Sequence, residues 1–242
     1  MVSPARQLPL PIGHAQSYAR EDFLGDESNA EARAWLDRPQ DWPNGRLLLW
    51  GPEGCGKTHL LRATAAREGW RVVDGCALRG LPAPGAAAVD DADCLPDDRA
   101  LLHLINLCAE RGEALLLAAR EPPSRWRITL PDLASRLRAT TAVAIATPGD
   151  ALLAALLSKL LADRQLRVAP EVRAWLLARL PRTPAALAEA VARLDQAGLA
   201  ARQPVTRALA RATFAGWEGF APLDDGSETE ADERSPPPVP LL

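Results

Sequence analysis

Residues 51–58 read GPEGCGKT, set between an apolar run, Arg46–Trp50 (RLLLW), and a helical pattern that opens at Lys57. The spacing GxxxxGK[ST] in that position constrains the chain to one local design, a buried strand, a tight loop and the N-terminus of a helix. Gly51, Gly54 and Gly56 let the backbone curl so that successive N–H groups converge on phosphate oxygens. Pro52, Glu53 and Cys55 complete the loop. Lys57 then reaches the outer phosphates of a di- or triphosphate, and the Thr58 hydroxyl suits Mg²⁺. The alternative is a glycine-rich strand-to-helix turn that carries a lysine by chance. Lysine is rare here, only Lys57 and Lys159, which weakens that alternative.

A metal on one threonine is poorly held, so a carboxylate is needed nearby. AAAVDDAD supplies it: apolar Ala86–Val89 form a buried strand, and Asp90 stands at its carboxyl end as a metal ligand, with Thr58. Asp91 is placed where a carboxylate could orient an attacking water. Read alone, such a pair is a helix cap or turn, and Asp93 is read as a turn residue.

Five short strand-like runs alternate with helical patterns: Arg46–Trp50, Trp70–Asp74, Ala86–Asp90, Glu113–Ala119 and Thr141–Ala146. This predicts an α/β domain with a five-stranded parallel sheet flanked by helices. From Asp150 to about Ala215, Leu and Ala recur at helical spacing with no strand between, which predicts a small all-α lid, with Pro170 and Pro184 at helix starts. The expected divisions are an extended segment over 1–20, the α/β domain over 21–148, the lid over 149–220, and an acidic, proline-rich tail over 221–242 that cannot bury enough to order itself. A peptide handle for a partner is the other reading of that tail.

This order of parts resembles the P-loop AAA+ domain of the bacterial replication initiator DnaA and its shorter relative Hda, over about Gln7 to Phe214. In that family a phenylalanine and an asparagine ahead of the loop pack on adenine, and DFLGDESN supplies Phe23 and Asn29. The resemblance therefore implies ADP or ATP as the nucleotide. LPDLASRL, Leu130–Leu137, is similar to the Hda segment that carries an arginine finger and implies that role, in trans, for Arg136. Without the resemblance, Arg136 reads as a solvated helix arginine. QLPLP (Gln7, Leu8, Pro9, Leu10 and Pro11) looks like the peptide by which Hda docks on the DNA polymerase sliding clamp; read in isolation it is an ordinary tail. An extended, proline-stiffened strand loses little entropy on binding.

Two departures bear on chemistry. Where the family has an aspartate after the fourth strand, this sequence has Arg120; where it has a lid arginine, Ala185 is nearest, with Arg182 close by. Their loss weakens the coupling of γ-phosphate to conformation, so self-catalysed hydrolysis is expected to be weak or absent. The resemblance implies a regulator that holds nucleotide, docks on the clamp and stimulates hydrolysis of DnaA-bound ATP. The alternative is an autonomous AAA+ ATPase of replication or helicase loading, with Asp91 orienting water. Self-association is open. DnaA continues into a helix-turn-helix domain where this chain has its acidic tail, so any DNA contact is expected to be indirect or weak.

The net charge of −3 argues against a chain built mainly to neutralise nucleic-acid phosphates. No basic-then-apolar leader and no apolar run of about 20 residues is evident, so no membrane contact and a cytoplasmic location are expected. Cys55, Cys76, Cys94 and Cys108 show no paired spacing, which predicts neither a zinc site nor a disulfide.

Overall fold

The computed structural model describes residues 25–217 and Phe220. The segment 1–20, Phe23 and the tail 221–242 lie outside the described residues, and with them the QLPLP motif.

The five apolar runs form five strands: β1 Arg46–Trp50, β2 Arg71–Asp74, β3 Ala87–Asp90, β4 Leu115–Ala119 and β5 Thr141–Ala144. They pair in parallel in the order β2-β3-β4-β1-β5. β1, β3 and β4 are the inner strands, and almost every residue in them is buried. That is why they read as continuous Leu, Ala and Val rather than as alternation. The fifth run stops two residues short of its expected end. Ile145 N–H still donates to Trp50 O (2.8 Å), but Ala146 N–H turns to Ser28 O (3.0 Å), which ties the segment ahead of α1 (Ala30–Leu36) to the sheet.

Helices cover both faces. α2 (Lys57–Glu68) buries Leu60, Leu61 and Ala65 on the side that also takes α1 and Trp42, while α3 (Asp98–Arg111) and α4 (Pro131–Arg138) bury Leu101, Leu104, Leu133 and Leu137 on the other. α2 and α3 end at Gly69 and Gly112, both left-handed, at φ values of 70° and 65°. A glycine reaches this conformation without steric cost and closes the last turn.

The lid consists of α5 (Asp150–Asp163), α6 (Pro170–Leu177), α7 (Pro184–Ala201) and α8 (Arg207–Phe214). Leu153, Leu157, Leu161, Leu176, Leu187, Val191, Leu194 and Phe214 form its core. Pro170 and Pro184 open α6 and α7, where an N–H would have no helical partner. Among the described residues no helix is long and apolar enough to cross a membrane.

One expectation is overturned. Cys76 and Cys94 are joined in a disulfide, with Cα atoms 4.9 Å apart at a sequence separation of 18, while Cys55 and Cys108 are free and buried. No local spacing announced the bridge. Pairing of β2 with β3, Asp74 opposite Asp90, brings the turns that follow these strands together.

Candidate nucleotide site

The loop Gly51–Gly56 leaves the carboxyl end of β1 and enters α2, as its spacing requires. Gly51 lies so close to the segment just after β5 that a Cβ there would stand 2.2 Å from Ile145 O. Gly54 and Gly56 have φ values of 76° and 102°, a region that side chains disfavour. The glycines are thus required by close approach and by backbone hand. Lys57 is 8% exposed. Its ammonium donates to Gly51 O (2.7 Å) and Pro52 O (2.8 Å) and lies 3.7 Å from Cys55 Sγ, so the charge sits under the loop.

β3 carries Asp90 to the same end of the sheet. The Thr58 hydroxyl donates to Asp90 Oδ1 at 3.1 Å across a sequence separation of 32. A hydroxyl and a carboxylate at this spacing form a hard-oxygen donor set, which would fit Mg²⁺. Burial pushes the Asp90 carboxyl above its ordinary range, with the Asp91 charge adding to it and the Thr58 hydrogen bond opposing it. The sign of the consequence follows from linkage. Stability contributed by protonated Asp90 is present in full below the ordinary carboxylate value and lost as pH rises through its elevated native value. Metal-free Asp90→Asn is therefore expected to melt above the parent at pH 7, with the two converging towards about pH 4. Melting curves of both chains in EDTA across that range check it, and a variant that melts lower at pH 7 would refute it.

Asp91 adopts a left-handed backbone (φ 49°) in the turn after β3 and accepts from Cys94 N–H at 3.0 Å. Asp93 is a turn residue, as expected, but with a long-range task. Its Oδ2 accepts the backbone N–H groups of Arg120 (2.9 Å) and Glu121 (3.3 Å), so a carboxylate from the neighbouring turn caps the end of β4. Arg120 itself follows β4 directly and pairs with Glu53 of the phosphate loop, Nη1 to Oε2 3.2 Å, with both side chains exposed. Asn29 is buried, at 2% exposure. It forms a small turn with Asp26: Asp26 N–H donates to Asn29 Oδ1 and Asn29 Nδ2 donates to Asp26 Oδ1, each at 3.3 Å. The Ser28–Ala146 bond holds this turn beside the segment just after β5, which Gly51 abuts.

The lid reaches the loop through Thr183. A Cβ on Gly54 would lie 2.8 Å from Thr183 Cγ2, while Thr183 Oγ1 accepts from Ala186 N–H (3.2 Å) and caps α7. Sequence reading missed this contact, though Thr183-Pro184 is a helix-start signature. Ala185 is exposed in the first turn of α7, and Arg182 pairs with Asp150 at the start of α5.

Arg136 stands elsewhere. Its Nε lies 3.2 Å from Asp132 Oδ1, one turn back on α4, with the side chain 35% exposed. Its backbone oxygen accepts from the Thr140 hydroxyl, which in turn accepts from Arg46 Nε at 3.3 Å. Burial, and next the charge of Arg136, push the Arg46 guanidinium below its ordinary value. Arg46 begins β1 and the phosphate loop follows its end, a span of about 16 Å at strand rise. Arg136 and the loop thus occupy opposite ends of the sheet.

Comparison with known proteins agrees with this geometry. Residues 150–214 match the family model described as Hda, lid domain. The fold is that of domain III of the Thermotoga maritima replication initiation protein DnaA, with a TM-score of 0.70 at 18% identity over 83% of this chain and 97% of that one. The chain has an AAA+ fold, and its lid region matches the Hda type. AMPPCP-bound DnaA from Aquifex aeolicus is similar at a TM-score of 0.61 and 17% identity, over 77% of this chain and 67% of that one. The Thermotoga maritima RuvB branch-migration motor also shares the AAA+ fold, at 0.60 and 16% over 82% and 72%. A Haemophilus influenzae protein of uncharacterized function is 27% identical over 219 residues, covering 83% of this chain and 95% of its own length. At these identities the solved structures speak to fold alone. The Hda lid match is the finding specific to one branch.

Proposed function

We propose that this AAA+ protein is a nucleotide-bound regulator of DNA replication initiation. In this reading it holds ADP or ATP with Mg²⁺, acts in the cytoplasm, docks on the sliding clamp through Gln7–Pro11, and lends Arg136 to ATP held by DnaA. The observation that carries the reading is the Thr58–Asp90 hydrogen bond beside a glycine loop on which an Hda-type lid rests through Thr183. Backbone amides of residues 51–56 and the Lys57 ammonium would hold the phosphates, Thr58 and Asp90 would hold the cation, and the Asn29 turn would border the base. Bound Mg²⁺ would neutralise phosphate charge. The AMPPCP in the Aquifex aeolicus DnaA structure supports an adenine nucleotide.

Two features favour a holder of nucleotide over a fast ATPase. Arg120 stands at the end of β4 where the family has an aspartate, and Ala185, nearest the place of the lid arginine, offers no polar group to a γ-phosphate. Arg136 lies too far from its own loop to act in cis, which supports service to a neighbour's nucleotide. The deciding experiment measures hydrolysis of DnaA-bound ATP with and without the full chain, on DNA carrying loaded clamp, beside turnover by the chain alone. Stimulation with negligible turnover by the chain alone is expected. Turnover by the chain alone, lost in Lys57→Ala and without effect on DnaA, would replace this reading with that of an autonomous ATPase.

A further inference from the structure

The phosphate-side end of the sheet carries a covalent tie that nucleotide binding does not itself require. Cys76 lies in the 3-10 turn Gly75–Ala77 after β2, and Cys94 in the turn after β3. Their bridge encloses the residues that matter for metal. Cys94 N–H donates to Asp91 O at 3.0 Å. Gly75 packs so tightly on the same turn that a Cβ would lie 2.4 Å from Asp91 O and 2.8 Å from Asp90 O. The segment Asp90–Asp93 is thus gripped from both arms of the disulfide.

That segment needs a grip. Asp91 holds a left-handed backbone at φ 49°, which aspartate tolerates better than most non-glycine residues but still adopts at a cost that its surroundings must offset. Asp90, immediately before it, faces Thr58, and Asp93, two residues on, caps Arg120 and Glu121. Access is also in place: Cys94 is exposed and Cys76 half-buried, whereas Cys55 and Cys108 are buried.

We propose that Cys76–Cys94 is a thiol–disulfide exchange site whose redox state sets the affinity of Thr58–Asp90 for a divalent cation, and through it the hold on the nucleotide. This rests on the nucleotide reading above. In the bridged form the turn is fixed and Asp90 is aimed at Thr58. In the dithiol form Asp91 relaxes, and the carboxylate loses its orientation as a ligand does when its outer support is removed. The chemistry balances with a small-molecule disulfide of the glutathione type as oxidant. One cysteine thiolate attacks it and expels a thiol, and the second cysteine thiolate then displaces the other. Two protein thiols become one disulfide while one disulfide becomes two small thiols; a dithiol reductant runs the exchange in reverse.

The test is calorimetry of ADP binding to the full chain, with Mg²⁺ and in EDTA, before reduction by a dithiol, after it, and after reoxidation by glutathione disulfide. Alkylation and intact mass count the thiols in each sample, with two more expected after reduction. Affinity in Mg²⁺ is expected to fall about tenfold on reduction and to recover on reoxidation, with no change in EDTA. The double variant Cys76→Ser, Cys94→Ser is expected to bind like the reduced chain and to ignore redox state. Equal affinity in both states overturns the proposal alone, as does a redox response that persists in the double variant. Folded protein that binds no ADP in either state overturns the nucleotide reading and this inference with it.

Discussion

If the loop holds phosphate as proposed, Lys57→Ala is expected to weaken ADP·Mg²⁺ binding about 100-fold, because the ammonium-to-phosphate bond would be charge-assisted and made in a buried loop. The geometry adds a second reason. Lys57 also donates to Gly51 O and Pro52 O, so its removal leaves two carbonyls of the loop without that donor and frees the curl that aims the amides. Lys57→Arg should fail nearly as badly: a planar fork is longer and wider than an ammonium and cannot sit beneath a loop that leaves Lys57 8% exposed. Isothermal titration with ADP and Mg²⁺ reads the loss, and circular dichroism melts establish that both variants fold. Binding by Lys57→Ala within threefold of the parent would show that the loop does not hold phosphate.

Arg136→Ala carries the other large effect. If Arg136 completes the site around a neighbour's ATP, its loss should lower stimulated hydrolysis of DnaA-bound ATP about 1,000-fold, the scale of an arginine finger. Arg136→Lys should rescue little, since a point charge lacks the planar fork. Folding is expected to survive truncation. The Asp132 partner is a solvent-exposed i,i+4 ion pair, worth little to stability, and removing a cation near buried Arg46 relieves repulsion. Stimulated turnover measured on clamp-loaded DNA decides it. Full stimulation by Arg136→Ala would take the finger role away from α4.

Much of this was legible from residue order. RLLLW, AAAVD and EALLLAA gave three inner strands because burial on both faces leaves no polar position in them, and GPEGCGKT fixed the β1 to α2 turn because few loops tolerate three glycines and a lysine there. The lid was visible because Leu153, Leu157 and Leu161 fall on one helical face and no β-type run interrupts 150–214. What escaped has a common cause. The Cys76–Cys94 bridge and the Asp93 cap on β4 join segments whose nearness depends on strand order, and the Thr183 contact with Gly54 depends on how the lid docks; neither β2-β3-β4-β1-β5 nor that docking is encoded by a local period. Arg136 was found only because LPDLASRL resembles a known segment. On helical patterning alone it is a surface arginine, although its placement at the far end of the sheet follows from parallel pairing, because it stands just ahead of β5.

Thr183 touching Gly54 gives the lid a mechanical meaning. α7 runs 18 residues from that contact, about 27 Å of stiff rod at helical rise, so a tilt of about 10° at the threonine carries the far end through roughly 5 Å. α5, α6 and α8 share one apolar core with α7 and would travel with it. A displacement in the glycine loop too small to notice locally would thus be geared up into a swing of the outer surface, where a neighbouring molecule could feel it.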